Sequence, residues 1–365
     1  MRKHHKALLN WYDLKGRDLP WRAKGNQKTN PYHVWLSEIM LQQTTVVTVI
    51  PYFLSFIKKW PTVQALAQAS LDDILHAWQG LGYYTRARNL YLCAKEIVND
   101  YNSQFPCSSS ELIKLPGIGP YTSKAIAAIA FNEQVLPIDG NIARILARLY
   151  AISTPLPEGM ISIQNAAFEF TPELRPGDFA QAMMDLGASL CTSRSPVCLE
   201  CPFRLICKAY AVGTQAGLPV KSKKPIRPKK YAVAYILKRE DGAILLRKRP
   251  ENGLLGGMME IPTSKWSTTK LKMNDVPKNA PIAIDWESSS IEIKHSFTHF
   301  DLEIMIYSGN ISMEKSQALE GFWVFPHQIG NYALPTLFKK IIEPSLKLIE
   351  THCSESPPYS SPYSP

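Results

Sequence analysis

Between Asn30 and about Tyr210, apolar side chains recur every three or four positions with brief breaks at Gly and Pro, the period of helices that bury one face. The pattern predicts helices over Val34–Val47, Leu71–Gln79, Thr85–Val98, Ser110–Leu115, Tyr121–Phe131, Ile142–Tyr150 and Phe179–Leu190, with little strand signal among them. From Gly213 to Lys230 the periodicity disappears and Pro, Lys and Arg take over, which marks a basic linker. Beyond it, YAVAYILKR and AILLRKR flank Glu240, Asp241 and Gly242, a hairpin closed by a tight Asp-Gly turn. Strand-like runs at Ile291–Lys294 and Phe300–Tyr307 make this part α+β with a mostly antiparallel sheet. The expected organisation is a mainly α domain over 1–212, a linker over 213–230, an α+β domain over 231–350 and a tail over 351–365. That tail, ending SESPPYSSPYSP, carries too little apolar surface to order itself.

A chain of 365 residues suits two domains, and 45% hydrophobic with 20% charged residues is globular composition rather than that of a disordered chain. No apolar run approaches the length of a bilayer span, and MRKHHKALLNWYDLKG lacks the unbroken apolar stretch of a secretory signal. The expectation is therefore a cytoplasmic protein with no membrane partner. A formal charge of +10 favours a polyanionic partner such as nucleic acid. Seven cysteines without a secretory signal point to reduced thiols rather than a disulfide framework.

Four of those cysteines, Cys191, Cys198, Cys201 and Cys207, form C-x6-C-x2-C-x5-C, a spacing that argues for a metal site. By ligand type it suits either tetrahedral zinc or an iron-sulfur cluster. Ser108 to Phe131 reads as a short helix, the turn PGIGP and a second helix opened by Pro120. Gly117 and Gly119 leave that turn bare, and free N–H groups at the start of the second helix favour an anion such as a DNA phosphate.

Two carboxylates stand in notable settings. Glu38, in VWLSEIMLQQTTV, shares a helix face with Trp35 and Leu41; burial there raises a carboxyl pKa and suits it to donate a proton to a leaving base. An ordinary helix Glu is solvated or ion-paired. The LQQT that follows shifts the balance, because Leu41, Gln42 and Gln43 can wedge into a base stack from which a nucleotide has left. Asp139, in VLPIDGNIARILARLY, sits where a helix cap is the ordinary reading, but together with Glu38 it would make an acid paired with a stabiliser of a sugar cation.

Taken in order, WLSEIMLQQT, GLGYYTRARNL, LPGIGPYTSKAI, IDGNIARILAR, QAMMDLGA and the four-cysteine string closely resemble the bacterial adenine DNA glycosylase family, densely over Leu19 to Tyr210 and onward through HSFTHF. The resemblance implies a helix-hairpin-helix glycosylase domain with a cysteine loop, followed by a Nudix-like domain. It implies an enzyme that hydrolyses adenine from double-stranded DNA opposite 8-oxoguanine or guanine, as a monomer working at the nucleoid. The sister family, endonuclease III, shares hairpin and cysteines but carries a Schiff-base Lys where this chain has Tyr121, and remains the alternative. By resemblance, Glu38 protonates adenine at N7, Asp139 stabilises or captures the oxocarbenium ion, and Tyr121 and Asn141 support them. Gln43 intercalates, Thr44, Leu81 and Tyr83 contact or wedge beside the opposing base, and the four cysteines ligate a 4Fe–4S cluster. Ala143 stands where some relatives carry a Lys, so trapping of the sugar there is not expected. In HSFTHF, Phe297, Thr298 and His299 match a triplet, usually Phe-Ser-His, that reads 8-oxoguanine. GLLGGMMEIP echoes the start of a Nudix box, but no REXXEE run follows, so pyrophosphatase activity is not expected. Protein partners are not indicated.

Overall fold

The computed structural model describes residues 2–23, 28–222, 226–250 and 253–353. The chain divides into two compact units: Met1–Ile74 with Arg86–Lys224, and Leu75–Thr85 with Pro225–Pro365.

Apolar periodicity makes the first unit helical. In chain order it holds α1 (Lys3–Lys15), α2 (Pro31–Leu41), α3 (Val46–Lys59), α4 (Val63–Gln68), the start of α5 (Leu71–Ala77) and nearly all of α6 (Thr85–Asp100). It continues with α7 (Ser109–Leu112), α8 (Pro120–Phe131), α9 (Gly140–Tyr150), α10 (Met160–Phe170), α11 (Pro176–Ser189) and α12 (Lys208–Ala211). The apolar stripe of α9, Ile142, Ile145, Leu146 and Leu149, is buried against Phe179, Met183 and Leu186 of α11 and Leu8 and Leu9 of α1. Each such side chain contributes roughly 1.5–3 kcal/mol by leaving water, so α9 and α11 are firm supports for whatever projects from their ends.

The single helix expected over Val34–Val47 is two. Helix α2 stops at Leu41 because Gln43 adopts φ 58°, and Thr45 caps α3 by accepting from the Thr48 N–H at 3.4 Å. Arg86 fills the carbonyls freed at the end of α2, donating to Ile39 O at 3.0 Å and Met40 O at 2.7 Å. Helix α7 covers one turn, where Ser110–Leu115 was expected.

The second unit is built on a six-stranded sheet of β1 (Lys229–Arg239), β2 (Ile244–Lys248), β3 (Met259–Glu260), β4 (Glu287–Ser296), β5 (Asp301–Ile311) and β6 (Phe322–Val324). Its order is β3-β2-β1-β5-β4, with β6 also paired to β2. The β1–β2 hairpin is antiparallel, as are β2–β3, β2–β6 and β4–β5. The longest pairing is not: β1 runs parallel to β5 from Lys229 opposite Asp301 to Arg239 opposite Ile311. Strand β1 is covered on both faces, which is where parallel pairing belongs. Ala232, Ala234 and Ile236 pack towards Leu337, Phe338 and Ile341 of α14 (Thr336–Cys353), which follows the short α13 (Met313–Ser316). Val233 and Tyr235 pack on Val276 and Tyr307. The end of α5 and the turn after it belong here through Gln79, whose amide donates to Tyr332 O at 2.7 Å and accepts from Lys339 at 3.0 Å. Helix α14 continues past residue 350, and the expectation for Ser354–Pro365 lies outside the described residues.

Candidate active site

Helix α2 is apolar nearly all round, with Val34, Trp35, Leu36, Ile39 and Met40 buried, and it carries Glu38 inward at 6% exposure. A carboxylate there has lost most of its water, and burial pushes its pKa up to about 7. The Tyr121 hydroxyl, at the start of α8, donates to it and pulls the value back, the charge of Asp139 raises it, and Arg22 lowers it. Both carboxylates also raise the Tyr121 pKa, after burial, so the three groups share one electrostatic neighbourhood. Glu38, Asp139 and Tyr121 are thereby brought together from α2, the start of α9 and the start of α8.

Asp139 is the N-cap of α9: its carboxylate accepts the Ile142 N–H at 2.7 Å and the Asn141 amide at 3.1 Å. Burial raises its pKa, against the pull of those hydrogen bonds and of Arg144. Asn141 is held in turn by Arg144, which donates to Asn141 Oδ1 at 2.8 Å, to Gly187 O at 2.7 Å and to Cys191 O at 2.8 Å. Gly187 lets α11 come this close, since a Cβ there would stand 2.5 Å from Asn141 Cβ and 3.3 Å from its Cα. Gly187→Ala should therefore displace Asn141 from Asp139. The expected result is base release slowed about tenfold or more, because small misplacements of reacting groups are costly; a single-turnover rate equal to wild type would show that the contact does not matter.

Glu38 also opens onto a slot lined by Trp21, Leu41, Val46 and Met184 as apolar walls and by Arg17, Arg22, Ser37 and Gln181 as polar groups. The cavity is about 40 Å³, so its apolar walls and hydrogen-bonding edges have the chemistry that suits a purine but must part to admit one. Sequence reasoning missed Arg17, Trp21, Arg22 and Gln181. The signal available was the string RDLPWR, two cations around a Trp before the first strong helix, and a Gln and an Asp at 181 and 185 among the apolar positions of α11. A larger cavity of about 550 Å³ lies among Lys124, Gln134, Gln164 and Thr171, but none of the singled-out residues lines it.

The remaining candidates fall around this centre or in the other unit. Gln42 donates to the Thr122 hydroxyl at 3.2 Å, and Thr44 accepts from Arg86 at 3.2 Å. Gln43, exposed at its positive φ, projects from the break between α2 and α3. In the hairpin, Gly117 has φ 75° and approaches Asn89, where a Cβ would meet Asn89 Cβ at 2.6 Å, so its glycine serves an internal fit. Gly119 has open space over it and precedes Pro120 at the first position of α8.

Cys191, Cys198, Cys201 and Cys207 line one small cavity together with Arg148 and Arg204. Among the described residues no three His, Cys, Asp or Glu side chains converge as ligands of a single ion. Burial, then neighbouring thiolates, push Cys201 up to about 12 and raise Cys198 and Cys207, and positive charge works against the rise in the last two. Buried Arg148 supplies some of it, donating to Cys191 Sγ at 3.3 Å and to Thr192 O at 2.7 Å.

In the second unit, Phe297, Thr298 and His299 form the tip between β4 and β5. Phe297 packs on His295, Phe300 and Trp266, while Thr298 and His299 are exposed. The hydroxyls of Tyr83 and Thr298 lie 2.7 Å apart. Tyr83 is half exposed and Leu81 is buried at 5% exposure. Glu260, the carboxylate of MMEIP, is engaged by Arg247 at 3.3 Å and by Arg249.

Residues 36–165 match the HhH-GPD superfamily of base excision DNA repair proteins, and residues 232–344 match the NUDIX domain. The chain is 33% identical to the adenine DNA glycosylase of Homo sapiens, over 92% of its own length and 72% of the relative's. It is 37% identical to that of Buchnera aphidicola subsp. Schizaphis graminum, over 92% and 96%. A solved thermostable thymine-DNA glycosylase superposes with a TM-score of 0.50 at 25% identity, covering 57% of this chain and 95% of that one. The chain belongs to the adenine DNA glycosylase family.

Proposed function

We propose that this chain removes adenine from double-stranded DNA, opposite 8-oxoguanine or guanine, by hydrolysing the N-glycosidic bond. The observation that carries the reading is the buried Glu38, raised to about 7, with Asp139 and Tyr121 in its electrostatic neighbourhood. An extruded adenine enters the slot beside Trp21, and Glu38 gives its proton to N7. The C1′–N9 bond then breaks with its electron pair leaving on the base. Asp139 holds the oxocarbenium ion that remains, water adds at C1′ and loses a proton, and an abasic site results. Tyr121 occupies the place of a Schiff-base lysine, which favours hydrolysis over the endonuclease III chemistry. On the second unit, the exposed Thr298 hydroxyl against Tyr83, with His299 beside it, offers donors and acceptors to the opposing oxidised guanine.

The four cysteines line one cavity together, and the resemblance to the family makes a 4Fe–4S cluster, rather than zinc, the group they would hold. Such a cluster would supply structure and DNA positioning, with no part in hydrolysis. The test of the activity uses duplexes carrying adenine opposite 8-oxoguanine, guanine or thymine, followed by alkali. Strand cleavage at adenine opposite 8-oxoguanine and guanine is expected. Intact strands, or a covalent adduct trapped by borohydride, would sink the reading.

A further inference from the structure

Asp185 has no part in the chemistry described above, yet it is the most completely engaged carboxylate beside the base slot. It sits at 1% exposure on α11, among Ala182, Met183 and Leu186. Its Oδ1 accepts from Arg17 Nε at 2.6 Å and Arg22 Nη2 at 2.8 Å, and its Oδ2 from the Arg17 backbone N–H at 2.8 Å and Arg22 Nη1 at 2.7 Å. Four donors use the whole accepting capacity of a carboxylate. Arg22 also donates to Arg17 O at 3.0 Å, which locks the two cations to one another. Both arginines line the slot with Glu38.

We propose that Asp185 is a positioning residue of the base site: it fixes Arg17 and Arg22 at the slot and balances the guanidinium charge that faces Glu38, so that Glu38 keeps its proton until adenine is bound. The inference rests on the glycosylase reading. Its physical basis is a conflict within the slot. Arg22 lines the slot with Glu38, and a cation near a buried acid favours loss of the acid's proton. An anion bonded to both arms of that cation cancels most of its field while keeping it in place. The other groups facing Glu38 are Tyr121 from α8 and Asp139 from the start of α9. Arg86 meets the end of α2 from α6, bound to backbone carbonyls. His33, on α2 itself, lies five positions earlier on that helix. Tyr12 of α1 lies under Arg22, with the guanidinium 5.7 Å from its ring centre. Asp185 is the carboxylate bonded to both cations.

The test is the pH dependence of single-turnover adenine release from an adenine:8-oxoguanine duplex. Asp185→Asn should move the basic limb down by about one pH unit, the size of effect a nearby charge has. Its deficit relative to wild type should then be about tenfold greater at pH 8 than at pH 5.5. Asp185→Glu restores the charge and should return the limb towards the wild-type position, even at a lower rate. Arg22→Gln keeps a donor and removes the cation, and should move the limb the opposite way, to higher pH. A deficit in Asp185→Asn that is equal at every pH would overturn the proposal. If Asp185→Asn does not fold, an unmoved or lowered limb in Arg22→Gln overturns it. Wild-type protein that releases no adenine sinks the function, whereas active wild type with pH-independent losses sinks this inference alone.

Discussion

Glu38→Gln is expected to slow adenine release by about 10²–10⁴-fold, the range a positioned general acid supplies, while leaving affinity for the duplex nearly intact. Gln occupies the same volume and still accepts from Tyr121, so the change isolates the proton. Wild-type activity should itself fall as pH rises through about 7, where Glu38 ionises, and the Gln variant should lose that limb. The same substitution should stabilise the fold in alkaline solution. The folded-state pKa lies above the ordinary carboxyl value, so the native state binds the proton more tightly than the unfolded chain. That contribution is complete below about pH 4.5 and is lost as pH rises through 7. The span of about 2.5 pH units corresponds to about 3 kcal/mol at most. Urea denaturation at pH 5 and pH 8 should show the Gln variant gaining on wild type between the two. A Glu38→Gln enzyme with wild-type turnover would remove the acid from the mechanism, and an unchanged stability gap would place Glu38 in water.

Such a trade of stability for chemistry was partly legible in the residues themselves. Glu38, Asp139, the glycine hairpin and the four cysteines each belong to a short string whose local chemistry is unusual: an acid on an apolar helix face, a cap rich in turn formers, a bare turn, thiols at close spacing. What joins them is not local. Arg17 and Arg22 meet Asp185 across more than 160 residues, and Tyr83 meets Thr298 across 215, separations at which no periodicity carries information. The break in the helix after Leu41 was hidden because Gln42, Gln43 and Thr44 are tolerable helix residues, and it is Arg86, forty-odd positions later, that satisfies the freed carbonyls. Helix α1 was missed because only His5, Leu8 and Leu9 of its 13 residues are buried, too few for a stripe. The parallel β1–β5 ladder escaped for a related reason: a hairpin announces itself by its turn, whereas a parallel partner lies more than 60 residues away and shares only its apolar content.

Asp139→Asn is expected to cost about 10²–10³-fold in the rate of adenine release with little change in folding stability, and the pairing of those two outcomes is the point. As the N-cap of α9, Asp139 accepts the Ile142 N–H at 2.7 Å. Asn caps a helix about as well as Asp, so a purely structural aspartate would leave both readouts near wild type. As the anion beside a developing sugar cation, its charge is what acts, and loss of one preorganised electrostatic partner typically costs that much in rate. Asp139→Ala should separate the terms further: it loses the cap as well, at about 1 kcal/mol, and should be no slower than Asp139→Asn by more than a few-fold. Removing the negative charge also withdraws one influence that raises Glu38, so the basic limb of the pH profile should move below its wild-type position near 7. The decisive measurement is single-turnover excision between pH 5 and 9 alongside thermal denaturation of the same samples. Wild-type rates in Asp139→Asn would reduce the residue to a helix cap, and with it the paired-carboxylate account of how the glycosidic bond is cut.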